Sequence, residues 1–429
     1  MPSLRTTLLP SWTSMARPRG PPTPLLAFAI VSATMTTFRT VADKVHAGER
    51  LTEADALTLL RHRDLPAIGQ LADTVRKRRH PENEVSYIVD RNINYTNVCV
   101  TLCKFCAFYR RPGDPEGYDH PLEVVYEKIR ETKELGGVQI LLQGGHHPDY
   151  DIERYETLFR GIKQNAPIHI HGLSSSEVLH CCNVSKLPLP EVLKRMRAAG
   201  LDSIPGGGGE ILVDRVRKEI SPLKTMSDPW LEVMREAHKQ GLRTTATMMF
   251  GHVETLEERV EHMRRIRELQ DETAGFTAFI SWTFQAPHTE MEDIPMTGGF
   301  DYLRTAAVSR LYVDNIDNFQ ASFVTQGLDM AGLSLQYGMN DLGSVMIEEN
   351  VVSAANCECL AGIEEMEKQI HAAGFEPVRR NMFYDRVDEV GSVTRRNSDP
   401  LWAAKNAEGD VRPWDSPAAG DAAVAEASA

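Results

Sequence analysis

Between residues 85 and 346 the chain alternates short aliphatic runs with longer amphipathic ones, eight times over. The short runs are 85–94, 138–143, 168–173, 203–205, 244–250, 276–284, 318–323 and 342–346; stretches such as 121–135, 189–199, 230–240 and 256–270 have helical periodicity. Strands in this rhythm pair in parallel, because only a crossover returns the chain to the same end of a sheet. The pattern predicts an α/β fold closed into a (βα)8 TIM-type barrel, with a final helix near 362–373. An incomplete barrel is the alternative. No break in composition divides 81–385, so this is read as one catalytic domain. Residues 38–80 read as a helical N-terminal addition. There Thr52-Glu53-Ala54-Asp55 has the spacing of a capping box, with Asp in place of Glu. A second helix, about 68–78, gathers basic residues at its end, where the helix dipole favours them. Residues 1–37 read as a disordered leader, and 386–429, rich in Ala, Asp, Gly and Pro, as a largely disordered C-terminal extension.

In a parallel barrel the chemistry sits at the carboxyl ends of the strands, and the unusual residues gather there. Cys99, Cys103 and Cys106 follow the first run with the spacing Cys-x3-Cys-x2-Cys. Gln143-Gly144-Gly145-His146-His147 follows the second, Ser174-Ser175-Ser176-Glu177 the third and Gly206-Gly207-Gly208-Gly209-Glu210 the fourth. Three thiolates hold three irons of a [4Fe–4S] cube and leave the fourth without a protein ligand. Such an iron binds a small cofactor and passes it an electron, as radical generation from S-adenosylmethionine (SAM) requires. Structural zinc is the competing reading, but it takes four ligands, and the next histidine is as distant as His120. Burial of three core thiols is the other.

The formal net charge of −13 argues against a nucleic-acid-binding surface, which would be basic. Seven cysteines, an odd number, suit a reducing cytoplasm better than a disulfide scaffold. No run reaches the ~20 apolar residues that span a bilayer. The nearest, residues 25–33, follows a Pro- and Arg-containing leader.

Five segments carry a resemblance: 94–99, 103–110, 143–149, 203–208 and 249–255. They resemble radical SAM enzymes of the group that contains biotin synthase-like, F420-precursor and menaquinone-precursor enzymes. The similarity is closer to the futalosine-pathway branch of menaquinone biosynthesis and spans about 40–385; segments 279–285 and 346–352 resemble its cyclising members. The resemblance implies a [4Fe–4S] cluster on Cys99, Cys103 and Cys106, with SAM on the open iron. It implies Phe105 near the adenine, Gly144 and Gly145 beside the methionine amino group, and Glu177 with Ser175 at the SAM ribose. Glu210 and His147 are the candidates for proton acceptor, with His252 a further histidine on that face. Trp282, Phe284 and Tyr337 are candidates to flank an aromatic ring, and Arg110, Arg215 and Arg243 to hold a carboxylate. The implied partners are a small nucleoside-derived substrate and an electron donor such as flavodoxin or ferredoxin, with no nucleic acid and no membrane. The implied chemistry is hydrogen abstraction from a ribose followed by ring closure. Aminofutalosine synthase, an F420-precursor synthase and a non-catalytic metal-binding protein are the alternatives.

Overall fold

The computed structural model describes residues 36–357 and 359–388, and the backbone of 393–394. Its parallel strands are β1 (Glu84–Ile88), β2 (Asp90–Ile93), β3 (Gln139–Leu142), β4 (His169–Gly172), β5 (Ser203–Ile204), β6 (Arg243–Phe250), β7 (Phe276–Thr283), β8 (Asn318–Gln320), β9 (Asp341–Ser344) and β10 (Glu376–Arg379). Only Val89 separates β1 from β2, and together they close the barrel. Even-numbered backbone groups face β9 and its continuation: Ser86 N–H donates to Asn340, Asn92 N–H to Glu348, and Ile88 O accepts from Val345. Odd-numbered groups face the other way. Tyr87 O accepts from Arg380 beside β10, and higher up Val89 O and Ile93 O accept from Val138 and Gln143 beside β3. The ring runs β2-β3-β4-β5-β6-β7-β8-β9-β1, with β10 added beside the lower half of β1.

Alternation sets the two faces of each strand. Ile140, Leu142, Ile170, Ala246 and Met248 point outward and are fully buried under the helices. Each such aliphatic side chain larger than alanine contributes about 1.5–3 kcal/mol. Many inward positions are polar instead, among them Asp90 and Asn92 on β2, Gln139 on β3, His171 on β4, and Thr245 and Thr247 on β6, with Ile88, Leu141 and Ile280 between them. A barrel of this size is ordinarily filled by branched aliphatics; here the interior holds about 370 Å³ of space.

The N-terminal addition comprises helices Phe38–Ala47, Glu53–Arg61 and Leu65–Arg79, packed largely on helices Leu256–Thr273 and Gly299–Tyr312. The expected capping box is present: Thr52 Oγ accepts from Asp55 N, and Asp55 Oδ2 accepts from Thr52 N. Two elements depart from expectation. The run 318–323 is a strand only through Gln320, because Phe323 begins a short helix, Phe323–Gln326. After helix Ile363–Ala372 the chain returns as β10, then crosses the foot of the barrel so that Arg380, Met382 and Tyr384 line its interior. Arg386–Val387 pairs antiparallel with Val393–Thr394 at the start of the segment read as extension. The leader to residue 35 and the chain beyond 394 lie outside the described residues. Among the described residues no helix is long and apolar enough to cross a membrane.

Candidate active site

The rim is built from the loops that follow the strands. Leu102, in the left-handed region at φ 48°, folds the cysteine loop back on itself. This places Thr101 Oγ1 3.0 Å from Cys99 Sγ and 3.5 Å from Cys103 Sγ. Cys106 N–H donates to Cys103 O, and all three thiols line the cavity. Burial pushes the Cys103 thiol up to about 12 and raises Cys106. Iron binding there must displace protons.

Two glycines after β3 let this loop sit down. A Cβ on Gly145 would meet Val98 O at 2.2 Å, and one on Gly144 would meet the Tyr95 ring at 2.7 Å. Both residues line the cavity, so packing and the expected cofactor role make the same demand. Gly144 N–H and Tyr95 O–H donate to Glu177 Oε1 at 3.0 and 2.6 Å. Glu177 is also the N3 residue of helix Ser175–Ser185: its Oε2 accepts from Ser174 N while Ser174 Oγ accepts from Glu177 N. Burial raises its carboxyl pKa above the ordinary value, against those hydrogen bonds. Three acceptor positions are taken and one remains, since a carboxylate offers about four.

Glu210 follows the glycine run and is 4 % exposed. Burial opposes its charge, yet Lys224 Nζ at 2.9 Å and Arg217 Nη1 at 3.3 Å hold its pKa below the ordinary carboxylate value. Arg217 also donates to the Gly208 and Gly209 carbonyls, which orients the run. Burial likewise opposes the Lys224 ammonium, but Glu210 keeps it charged, 5.3 Å from the centroid of the Phe105 ring. Cys99, Cys103, Cys106, Phe105, Gly144, Gly145, Glu177 and Glu210 thus share one cavity.

Other candidates lie elsewhere. Ser175 is fully buried but Ser174 takes its place in the lining. His147 is outside the lining, its ring 4.5 Å from that of Tyr150. Its neighbour His146 is inside, with Nδ1 3.8 Å from Cys99 Sγ, and burial takes its pKa down to about 3. His252 is tied to Met249 O and Val253 N. Trp282 lines the cavity with its Nε1 unpartnered among the described residues, whereas Phe284 and Tyr337 do not line it. Arg110 pairs with Glu116, Arg215 with Glu258, and Arg243 is buried at the start of β6. The arginine that lines the cavity is Arg380. Reading the chain missed His146, Lys224 and Arg380. Adjacency to the glycine pair was the signal for His146; Lys224, 14 residues beyond Glu210, and Arg380, in the segment after β10, lie outside every motif that follows a strand.

Three thiols around one mouth fit a multi-iron group, whose corners are separate metal ions. Among the described residues no three ligating side chains converge on one ion position, which is what zinc would need. A parallel barrel with three thiols on its carboxyl rim and glycine-backed carboxylates beside them defines a class of cofactor-dependent radical enzymes. Residues 93–266 match the radical SAM superfamily, and 273–393 match the CofH/MqnC C-terminal region. The chain is 46 % identical to the cyclic dehypoxanthine futalosine synthase of Streptomyces coelicolor over 351 residues, 81 % of this chain and 88 % of that one. It is 38 % identical to the aminodeoxyfutalosine synthase of Thermus thermophilus, over 81 % and 95 %. The crystal structure of methylornithine synthase superposes with a TM-score of 0.63 at 20 % identity, covering 79 % of this chain and 97 % of that one, which establishes the fold. The chain belongs to the radical SAM superfamily, in the branch that carries the CofH/MqnC C-terminal region.

Proposed function

We propose that the chain converts dehypoxanthine futalosine to cyclic dehypoxanthine futalosine, a step of menaquinone biosynthesis. The observation that carries this reading is a rim of three thiols opening directly onto the barrel cavity, beside Glu177 and Glu210, in a chain more similar to the cyclase than to the aminodeoxyfutalosine synthase described above. Bound at Cys99, Cys103 and Cys106, a [4Fe–4S] cluster with SAM supplies a carbon radical able to take hydrogen from a ribose carbon. The protein's own residues do the rest. Gly144 and Gly145 bring backbone close to the methionine end of SAM. Glu177 keeps one acceptor position for the SAM ribose, with Ser174 in the place expected of Ser175. Phe105 flanks the adenine, and Lys224, paired with Glu210, stands 5.3 Å from the centre of the Phe105 ring as a fixed cation. Ring closure on an arene is completed by loss of one electron, to a one-electron carrier, and of one proton; once the electron has left, that proton is strongly acidic, so a carboxylate of depressed pKa suffices as its acceptor. Glu210 meets that need. The barrel wall limits the access of water and stray hydrogen donors to the radical. The reductant is a small one-electron carrier of the flavodoxin or ferredoxin kind, and seven unpaired thiols suit the reducing cytoplasm.

The test is anaerobic turnover by the reconstituted protein with SAM and reductant, read by mass spectrometry. Deoxyadenosine with a product two hydrogens lighter than dehypoxanthine futalosine supports the cyclase. A SAM-derived adduct formed only with an enolpyruvyl benzoate makes it the sister synthase. Deoxyadenosine with neither product removes this substrate. Glu210→Gln should slow cyclised product at least tenfold while deoxyadenosine still forms; unchanged product removes Glu210 as acceptor.

A further inference from the structure

At the foot of the barrel, opposite the thiols, the cavity ends in a polar layer that the proposed chemistry does not use. Gln139 Nε2 donates to Asp90 Oδ2 at 2.6 Å, and the Ser344 hydroxyl donates to Asp90 Oδ1. Arg380 reaches across from the segment after β10 and binds both oxygens of Asp341. Its guanidinium lies 4.1 Å from the centroid of the Tyr384 ring. Two polar atoms of this layer are buried without a hydrogen-bond partner among the described residues: Gln139 Oε1 and the Tyr384 hydroxyl. Both side chains line the cavity, and Gln139 is 4 % exposed. Buried polar atoms are nearly always satisfied, so these two point to a ligand.

The chemistry of that ligand follows from what the layer lacks. Its cation is already matched, since Asp341 holds Arg380 with two hydrogen bonds, so an anion finds no free charge here. Gln139 Oε1 only accepts, and needs a donor; a phenol donates or accepts. A carboxylate cannot donate, whereas a hydroxyl satisfies both atoms. Gln139 and Gly144 are five residues apart on and just beyond β3, roughly 17 Å at about 3.3 Å per residue. That depth leaves room for a sugar beneath the cofactor, with Ile280 and Val324 higher in the wall for an aromatic ring.

We propose that this floor is the subsite for the substrate's sugar hydroxyls, with Gln139 and Tyr384 as specificity-determining residues and Arg380 and Asp341 as positioning residues. The assignment rests on the nucleoside-derived substrate proposed above. Tyr384→Phe removes only an unpartnered hydroxyl, so the variant keeps the packing of the ring. The experiment compares reconstituted wild-type enzyme, Tyr384→Phe and Gln139→Leu in anaerobic steady-state assays. The substrates are dehypoxanthine futalosine and analogues that each lack one sugar hydroxyl. Tyr384→Phe should raise KM about tenfold, the worth of one hydrogen bond, with kcat within about twofold. One analogue should cost wild type a similar factor and cost Tyr384→Phe nothing further. If both variants match wild type in KM, or every analogue penalises Tyr384→Phe as it does wild type, the floor is no such subsite. If wild type itself turns over no dehypoxanthine futalosine, the substrate reading falls and the sugar assignment with it.

Discussion

The rim and the floor of this barrel are built by opposite means. At the rim, short loops supply thiols, glycines and carboxylates within a few residues of the strand that presents them. Cys99 to Cys106 is one loop; Gly144, Gly145 and His146 are another. At the floor, the decisive contacts join residues far apart in the chain. Ser344 meets Asp90 across 254 positions, and the Ser86 hydroxyl meets Asp341 across 255. The rim neutralises its buried charge locally, Glu210 with Lys224 and Arg217. The floor does so with one bidentate pair, Arg380 with Asp341, brought in by a segment after the last helix. The rim is assembled from several loops, of which the cysteine loop rests on the glycine pair, whereas the floor depends on one crossing segment.

The largest effect is expected at the rim. Cys99→Ala should leave a folded protein with far less than a full cluster, and SAM cleavage should fall below detection. Iron and sulfide analysis with the anaerobic deoxyadenosine assay measures both, and full iron content would break the assignment. Arg380→Met comes next, because it strands the fully buried Asp341 carboxylate. Urea unfolding should show a loss of about 3–5 kcal/mol, largely recovered in the double variant with Asp341→Asn. A loss below about 1 kcal/mol would mean that the floor does not depend on this pair. Gly145→Ala should cost about 1–3 kcal/mol, since the added methyl meets the Val98 carbonyl. It should also lower cluster content by displacing the cysteine loop; unchanged iron would show that the loop gives way without cost.

The pH dependence is the smallest effect and separates the two regions in another way. Burial holds His171, at the floor, well below its ordinary 6.5. It is neutral when folded, so its contribution is complete above pH 6.5 and is lost as pH falls below that value toward its depressed native pKa. The slope approaches about 1.4 kcal/mol per pH unit. Near the rim, burial of Glu254 opposes its charge, but His252 and Arg259 hold its pKa below 4.5, and it accepts from Gly251 and His252 N–H. Its contribution is complete above 4.5 and is lost only at lower pH. Denaturation midpoints between pH 7 and 3 should therefore fall in two stages. His171→Asn should lessen the slope of the upper stage, to which buried His146, His169, His238 and His262 also contribute, and Glu254→Gln that of the lower. A single stage below 4.5 would mean that the floor histidine protonates without cost.

Some of this was legible in the chain. The eight runs gave nine of the ten parallel strands, the first run holding both β1 and β2 and none covering β10, because short runs set between long helical stretches mark a parallel sheet; each motif after a run lies on the carboxyl rim. The cysteine spacing indicated the cluster, and the glycine pair indicated a close approach, although the approaching partner is the cysteine loop as well as the expected cofactor. The inward Asp90-x-Asn92 and Thr245-x-Thr247 alternations were also present in the chain as signs of a polar interior. What was not legible is which of two adjacent residues turns inward. His146 enters the cavity and His147 does not; Ser174 lines it and Ser175 is packed away. A turn's last dihedral angles decide that, and no spacing rule reaches them.

By itself, then, the order of residues determined the strand and helix periods, the closed parallel barrel and the three-thiol motif, because each is written in neighbours a few positions apart. Tertiary structure alone decided that Lys224 would stand opposite Glu210, that the candidate arginines would lie outside the cavity lining, and that Arg380 and Tyr384 would form its floor. Lys224 reaches Glu210 across 14 positions by way of helix Asp214–Ile220, and Arg380 and Tyr384 reach the floor only because the chain closes on itself over hundreds of residues. Burial there creates the demand for charge and hydrogen-bond partners that no local pattern records.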